Sequence, residues 1–333
     1  MPDGPPHSAL SCVTRCSRHG GSKLIFQTDD DFSLRKIADC GQCFRALGLG
    51  GNLWRFITGS HILHMRELGG GIFDADCSKV EWNSVWSDYF DLGTDYAAVR
   101  DRIPARDRYL TRCAAAGRGI RLLRQDPWEA LVSFIISQRK TIPAIRRCIE
   151  ALCETFGKEA LRNGEIDSVS AQPEGAPQYF FPSAESLARA SASALAACGL
   201  GYRVPYVAGA ARSVADGALD LSACRRMDDD TLFATLMNLH GVGEKVANCV
   251  CLFGFHRTSR APVDVWIRRV IDRNYHGKNP FGRYGADAGI LQQYMFYHAV
   301  HEDGESLERG MCCLKNESQR KTAVTAENNG GIL

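Results

Sequence analysis

Near residue 76 the chain changes its period. Upstream, short aromatic and β-branched runs, "SKLIFQT", "CFRALG", "LWRFITGSHILHMREL" and "GGIF", are separated by glycines, which is the pattern of an antiparallel meander. From "WNSVWSDYFDL" onward the apolar residues recur near every 3.6 positions and strand signals nearly vanish. That order predicts an α+β fold, an antiparallel-sheet domain at the N-terminus packed on a mostly helical domain. With 333 residues and 45% hydrophobic content, the chain can bury a substantial core in two domains. No repeat of the kind that builds a solenoid is present.

The expected divisions follow composition. Residues 1–21, rich in Pro, Gly, Ser and Cys, read as a flexible leader. The sheet domain with its first helices covers 22–124, and the helical domain 125–301. The polar, weakly periodic stretch 302–333 reads as a disordered tail. Helix starts and stops are marked in places: Pro127 follows the capping candidate Asp126, and "TIPAIRRCIEALCETFG" runs into a glycine.

Composition excludes little else. A net charge of +2 names no partner, so a nucleic-acid surface has to come from local clustering. No stretch approaches the roughly 18 apolar residues of a membrane span, and the opening lacks a signal-peptide core, which predicts an intracellular protein without a membrane partner. The fourteen cysteines are scattered through helical and strand-like segments, the usage of free thiols in a reducing compartment. Cys12, Cys16, Cys40 and Cys43 come nearest to metal spacing, yet no histidine completes either pair, and no catalytic metal is expected.

The chemistry concentrates in "LMNLHGVGEKVANCVCLFGFHRTSRAPVDVW", residues 236–266. Gly241 and Gly243 would join two helices by a tight turn and expose backbone N–H groups that attract anions. A DNA-binding hairpin and an ordinary helix connection both fit. Lys245 falls in the first turn of the second helix, where the macrodipole disfavours an ammonium but not the neutral amine that a nucleophile needs. A solvated surface lysine would look the same. Asp264 is a natural N-cap for the helix that follows. Backbone N–H bonds would also keep its carboxylate ionised and able to stabilise developing positive charge. Basic residues in "HRTSR", "WIRRVIDR" and "GKNPFGR", with Arg139 and Lys140, cluster around these segments, as on a phosphate-binding face or a solvated helix face.

Taken together and in order, "CGQCFR", "GIRLLRQDPWEALVSFIIS", "LHGVGEKVANC" and "PVDVW" resemble the 8-oxoguanine DNA glycosylases of the helix-hairpin-helix superfamily, over roughly residues 22–300. The resemblance implies a bifunctional repair enzyme that acts on duplex DNA containing 8-oxoguanine, as a monomer and without cofactor, in the nucleus or at the nucleoid. Lys245 would be the Schiff-base nucleophile at the sugar C1′ and Asp264 its partner carboxylate. The Gly41 carbonyl would read the N7 hydrogen of the lesion, Gln292 would bond the Watson–Crick edge of the flipped base, and Phe296 and Cys249 would sandwich its ring. The carbonyls of Met237, Leu239 and Val242 match positions that hold a structural cation beside DNA phosphate.

Three positions depart from the family pattern. Arg139 stands where an asparagine commonly fills the vacated gap. Ala144 replaces an arginine that contacts the orphaned cytosine, although Arg203 keeps the other arginine. Trp266 takes a DNA-facing position where a histidine is common. Bidentate contacts to the opposite base supply much of the preference for cytosine, so looser opposite-base selectivity is expected.

Overall fold

The computed structural model describes residues 11–16, 22–28, 32–160 and 178–303. Six strands form one antiparallel sheet: β1 (Ser11–Cys16), β2 (Ser22–Gln27), β3 (Leu47–Gly50), β4 (Leu53–Thr58), β5 (His61–Gly69) and β6 (Ile72–Ala75). Their order is β1-β2-β6-β5-β4-β3, so the expected meander runs from β3 to β6 and β2 returns beside β6. Two local expectations are corrected. Ser11–Cys16, assigned to a flexible leader, form an edge strand with Val13 opposite Ile25. An edge strand pairs on one side only, so it carries a weaker pattern than the Pro/Gly composition that surrounds it. In "CFRALG" the first four residues bend, and the strand begins only at Leu47. The rest of the leader and residues 304–333 of the expected tail lie outside the described residues.

The helices that matter for the site are α1 (Leu34–Asp39), α2 (Arg108–Ala116), α3 (Pro127–Ile136), α4 (Ile142–Phe156), α5 (Val204–Ala215), α6 (Asp229–Met237), α7 (Glu244–Cys249), α8 (Val265–Asn274) and α9 (Ala288–His298). Asp126 caps α3 by accepting the Glu129 amide at 2.9 Å, with Pro127 in its first turn, and α4 ends at Gly157, both as the sequence predicts. Helix α3 is buried on every face but for Trp128, which marks it as a central helix rather than an amphipathic cover.

Two cores result. One lies under the sheet, where Leu24, Phe26, Phe56, Met65 and Phe73 meet Trp82, Trp86 and Phe90; Phe26 stacks on Phe73 at 5.2 Å between ring centroids. The larger core belongs to the helices, and it includes Tyr96, Leu110, Cys113, Ile120 and Leu122. The two cores thus interleave around residue 124, with Tyr96 to Leu122 packing in the helical body and Leu123 under the sheet. The ten cysteines from Cys40 to Cys251 are free and buried, behaving as small apolar residues. Among the described residues no helix is long and apolar enough to cross a membrane.

Candidate active site

The hairpin between α6 and α7 is built by two glycines with different duties. The Val242 amide donates to the Leu239 carbonyl at 3.0 Å and closes the turn. Gly241 has φ +84, and a Cβ there would lie 2.2 Å from Cγ of Tyr206. Only glycine satisfies both demands. Gly243 is the extended residue before α7, with open space where a Cβ would sit, so the first-turn amides of α7 can be approached closely by an anion. Of the three carbonyls expected to face a cation, that of Leu239 already accepts one bond; a carbonyl oxygen has a second lone pair.

Lys245, in the first turn of α7, is half-buried. Its Nζ donates to Ser137 Oγ at 3.2 Å and lies 5.3 Å from the centroid of the Phe134 ring. Among the described residues it closes no ion pair with a carboxylate. One turn on, Cys249 is buried; burial pushes its thiol up, opposed by the positive charge of Lys245.

Asp264 is the N-cap of α8 and accepts the Trp266 and Ile267 amides at 3.0 and 2.9 Å. The cap is as expected, but its electrostatic consequence differs. Burial raises the Asp264 carboxyl above the usual range, and the Ile267 N–H and the Lys245 charge only partly offset this. Desolvation outweighs capping here.

A second group gathers around the loop after α1. Gly41 has φ +75, and its missing Cβ would stand 2.9 Å from Cε1 of Phe296 and 3.6 Å from Cδ1 of Ile142. Gln292, one turn before Phe296 on α9, is buried, and its Oε1 has no hydrogen-bond partner among the described residues. A buried amide oxygen left unpaired costs about 1–3 kcal/mol, which a ligand donor would recover. The two groups are linked through packing: Phe44, from the loop after Gly41, sets its edge on Phe134 at 5.7 Å, directly beneath the Lys245 amine. Ile142 begins α4 just five residues after Ser137.

The loop between α3 and α4 carries the departures. Arg139 is exposed and left-handed, with φ +50, an unusual state for a residue with a Cβ. Lys140 Nζ donates to the Gly199 carbonyl at 2.9 Å. Gln138 Nε2 donates to the Gly241 carbonyl at 3.0 Å and so ties this loop to the hairpin. Arg203, expected to reach the opposite base, is instead buried; its guanidinium donates to the carbonyls of Leu200 and Gln138 and stacks 4.2 Å from the Tyr202 ring centroid. Trp266 is half-buried beneath the Arg269 guanidinium, 5.1 Å away. Ser137, Phe134, Gln138 and Gln293 were not singled out in the sequence. Their signal was only adjacency, in "FIISQRK" and "LQQYMF".

This arrangement has counterparts. The description "8-oxoguanine DNA glycosylase, N-terminal domain" matches residues 24–131, and "HhH-GPD superfamily base excision DNA repair protein" matches residues 132–280. A probable N-glycosylase/DNA lyase of Methanothermobacter thermautotrophicus is 35% identical over 211 residues, 58% of this chain and 67% of the relative. The chain belongs to the 8-oxoguanine DNA glycosylase family. Within that family an N-glycosylase/DNA lyase of Saccharomyces cerevisiae is 34% identical over 169 residues, 47% of this chain but only 42% of the yeast protein. The 8-oxoguanine glycosylase/lyase of Clostridium acetobutylicum, solved with double-stranded DNA containing cytosine opposite 8-oxoG, superposes with a TM-score of 0.78 at 29% identity, covering 87% of this chain and 98% of that one. The two matched family stretches meet at residues 131 and 132, inside the buried helix α3, so both halves of the glycosylase share one helical core.

Proposed function

We propose that this protein is a base-excision-repair enzyme that flips 8-oxoguanine out of duplex DNA, removes it through a Schiff base on Lys245, and then nicks the abasic strand. The observation that carries this reading is the state of Lys245: a half-buried amine held by a hydroxyl and a ring, with a carboxylate in electrostatic reach but not bonded to it. The target sugar must leave the stack, because its anomeric carbon is shielded within a duplex. Lys245 forms a bond to C1′ as the glycosidic bond breaks, and the bonding pair leaves with the base. Ionised Asp264 stabilises the positive charge that develops on the sugar. Ring opening gives the imine, and loss of a 2′ proton expels the 3′ phosphate, leaving a nicked strand.

Recognition is assigned to Gly41, Gln292, Phe296 and Cys249. A free acceptor on Gln292 and a ring beside Gly41 suit a planar base that carries donors on its edge. The hairpin amides near Gly241 and Gly243, with Lys140, Arg139 and Trp266, would face the phosphates, and the carbonyls of Met237, Leu239 and Val242 a structural cation. Opposite-base selectivity should be loose, since Ala144 offers no donor side chain and the Arg203 guanidinium is engaged with backbone carbonyls. The enzyme would work as a monomer wherever the genome is held, at the nucleoid or in the nucleus.

Borohydride trapping tests this directly. Wild type and Lys245→Gln are incubated with duplexes holding 8-oxoguanine opposite each of the four bases. A covalent adduct that requires both the lesion and Lys245, with yields similar across the opposite bases, is expected. Intact DNA binding without an adduct would defeat the lyase reading, and an adduct only opposite cytosine would defeat the selectivity claim.

A further inference from the structure

Gly41 is the least constrained residue of the recognition group, because a glycine at φ +75 can rotate its carbonyl at little cost. A carbonyl meant to read one hydrogen on a base must not rotate. The chain on its C-terminal side is firmly held. Gln42 is fully buried; its Nε2 donates to the Arg121 carbonyl at 2.8 Å, its Oε1 accepts the Leu123 amide at 2.8 Å, and its own carbonyl accepts Gln125 Nε2 at 2.7 Å. On the N-terminal side, the Cys40 carbonyl belongs to the peptide plane that joins Cys40 to Gly41. That carbonyl accepts Nε2 of Gln293, a buried residue of α9.

Helix α9 thus sends three side chains to one place. Gln292 and Phe296 are one turn apart and share a face, and Gln293 is three residues before Phe296. Two of the three would touch the base; the third touches only the loop. We propose that Gln293 is a positioning residue for lesion recognition: by holding the Cys40–Gly41 peptide plane to α9, it fixes the Gly41 carbonyl relative to Gln292 and Phe296. This inference rests on the 8-oxoguanine reading above. Removing the donor leaves the Cys40 carbonyl unpaired in the interior and frees Gly41 to turn, and a displacement near 1 Å at a reacting site can cost on the order of a hundredfold in rate.

The experiment compares wild type, Gln293→Leu and Gln293→Glu, the second keeping size and polarity but offering no donor when ionised. Three quantities are read: single-turnover excision of 8-oxoguanine, strand cleavage at a preformed abasic site, and the affinity ratio for 8-oxoguanine over guanine duplexes in a Lys245→Gln background. Excision should fall about tenfold or more and the affinity ratio should fall with it, while abasic-site cleavage, which uses Lys245 but no base, stays within about twofold. A parallel fall of abasic cleavage would make Gln293 a fold residue and overturn the proposal, as would unchanged excision and an unchanged ratio. A wild-type enzyme that cleaves abasic sites but leaves 8-oxoguanine in place would instead defeat the functional reading itself.

Discussion

Replacing the two hairpin glycines by alanine should separate folding from phosphate binding. At Gly241 an alanine meets two penalties. Its backbone is left-handed, at φ +84, which costs a residue with a Cβ about 1–2 kcal/mol. Its Cβ would also stand 2.2, 2.5 and 2.6 Å from the stem atoms of the Tyr206 ring. That ring cannot swing freely, since it packs edge-on against His240 at 4.7 Å and Tyr202 at 6.1 Å. Overpacking of this kind adds about 1–3 kcal/mol, for a total of about 2–5 kcal/mol. A loss of that size lowers the melting temperature of a domain of roughly 150–250 residues by about 5–15 °C. Gly243→Ala is the counterpart. The residue has φ −98 and empty space around its missing Cβ, so the fold should lose less than about 1 kcal/mol, the cost of a poorer cap. If a phosphate lies on the α7 amides, however, the new methyl stands in its path, and affinity for lesion-free duplex should fall about tenfold, or about 1.4 kcal/mol. Thermal melting and fluorescence anisotropy at fixed ionic strength read the two effects. Wild-type melting of Gly241→Ala, or undiminished DNA affinity of Gly243→Ala, would refute the account of the hairpin.

Two pH dependences follow from burial. On the proposed mechanism ionised Asp264 is the active form, and burial lifts its carboxyl above the usual range, so excision should be lost as pH falls through that raised value, earlier than for an exposed aspartate. Asp264→Asn, an equally good cap without the buried charge, should melt no lower than wild type at neutral pH yet lack this acid limb; an unchanged pH–rate profile would contradict the assignment. Glu129, buried on α3, is lifted from 4.5 to about 7, chiefly by burial and against the pull of Arg45. A carboxyl whose folded value exceeds its unfolded one makes the fold less stable as pH rises between the two, here by about 3 kcal/mol. Glu129→Gln should flatten the melting temperature across about pH 5 to 8, and equal slopes in the two proteins would show that Glu129 does not titrate in the fold.

How legible the molecule was depends on the range of the physics involved. The meander from β4 to β6, the Asp126–Pro127 start of α3 and the hairpin turn are local, encoded by alternation, capping and glycine placement, and all stand where the sequence puts them. The strand at Ser11–Cys16 was missed because an edge strand owes its existence to a partner 12 residues away in register, Val13 against Ile25, rather than to its own composition. The site was legible only as residue types. Lys245 and Asp264 could be named, but Ser137 and Phe134, which hold the amine, come from the end of a helix more than a hundred residues upstream. The direction of the Asp264 shift was misjudged for the same reason: its two capping bonds are local, whereas its burial is a property of the whole fold. Arg203 shows the converse, an arginine expected to face a base but turned inward by two carbonyls that no spacing rule identifies.

The proposed catalytic pair is placed so that neither charge is comfortable. Lys245 and Asp264 each stand at the start of a helix, α7 and α8, where a dipole favours an anion and disfavours a cation. Asp264 gains two N–H bonds from that position, yet burial still raises its carboxyl. Lys245 gains nothing from its dipole. A direct ion pair would relieve both groups, and it would also occupy the amine that, on the proposed mechanism, has to attack. Ser137 Oγ takes the amine instead, at 3.2 Å. A hydroxyl is a weaker partner than a carboxylate, so the amine is held in place without being committed, and the charge of Asp264 is left for the cation that the proposed reaction would form on the sugar. Ser137 itself is fixed by donating to the Phe134 carbonyl at 2.8 Å, one helical turn back on the residue whose ring underlies the amine. The position of the Lys245 amine is therefore set by the end of α3, a helix buried on every face but for Trp128, as well as by the hairpin that carries it.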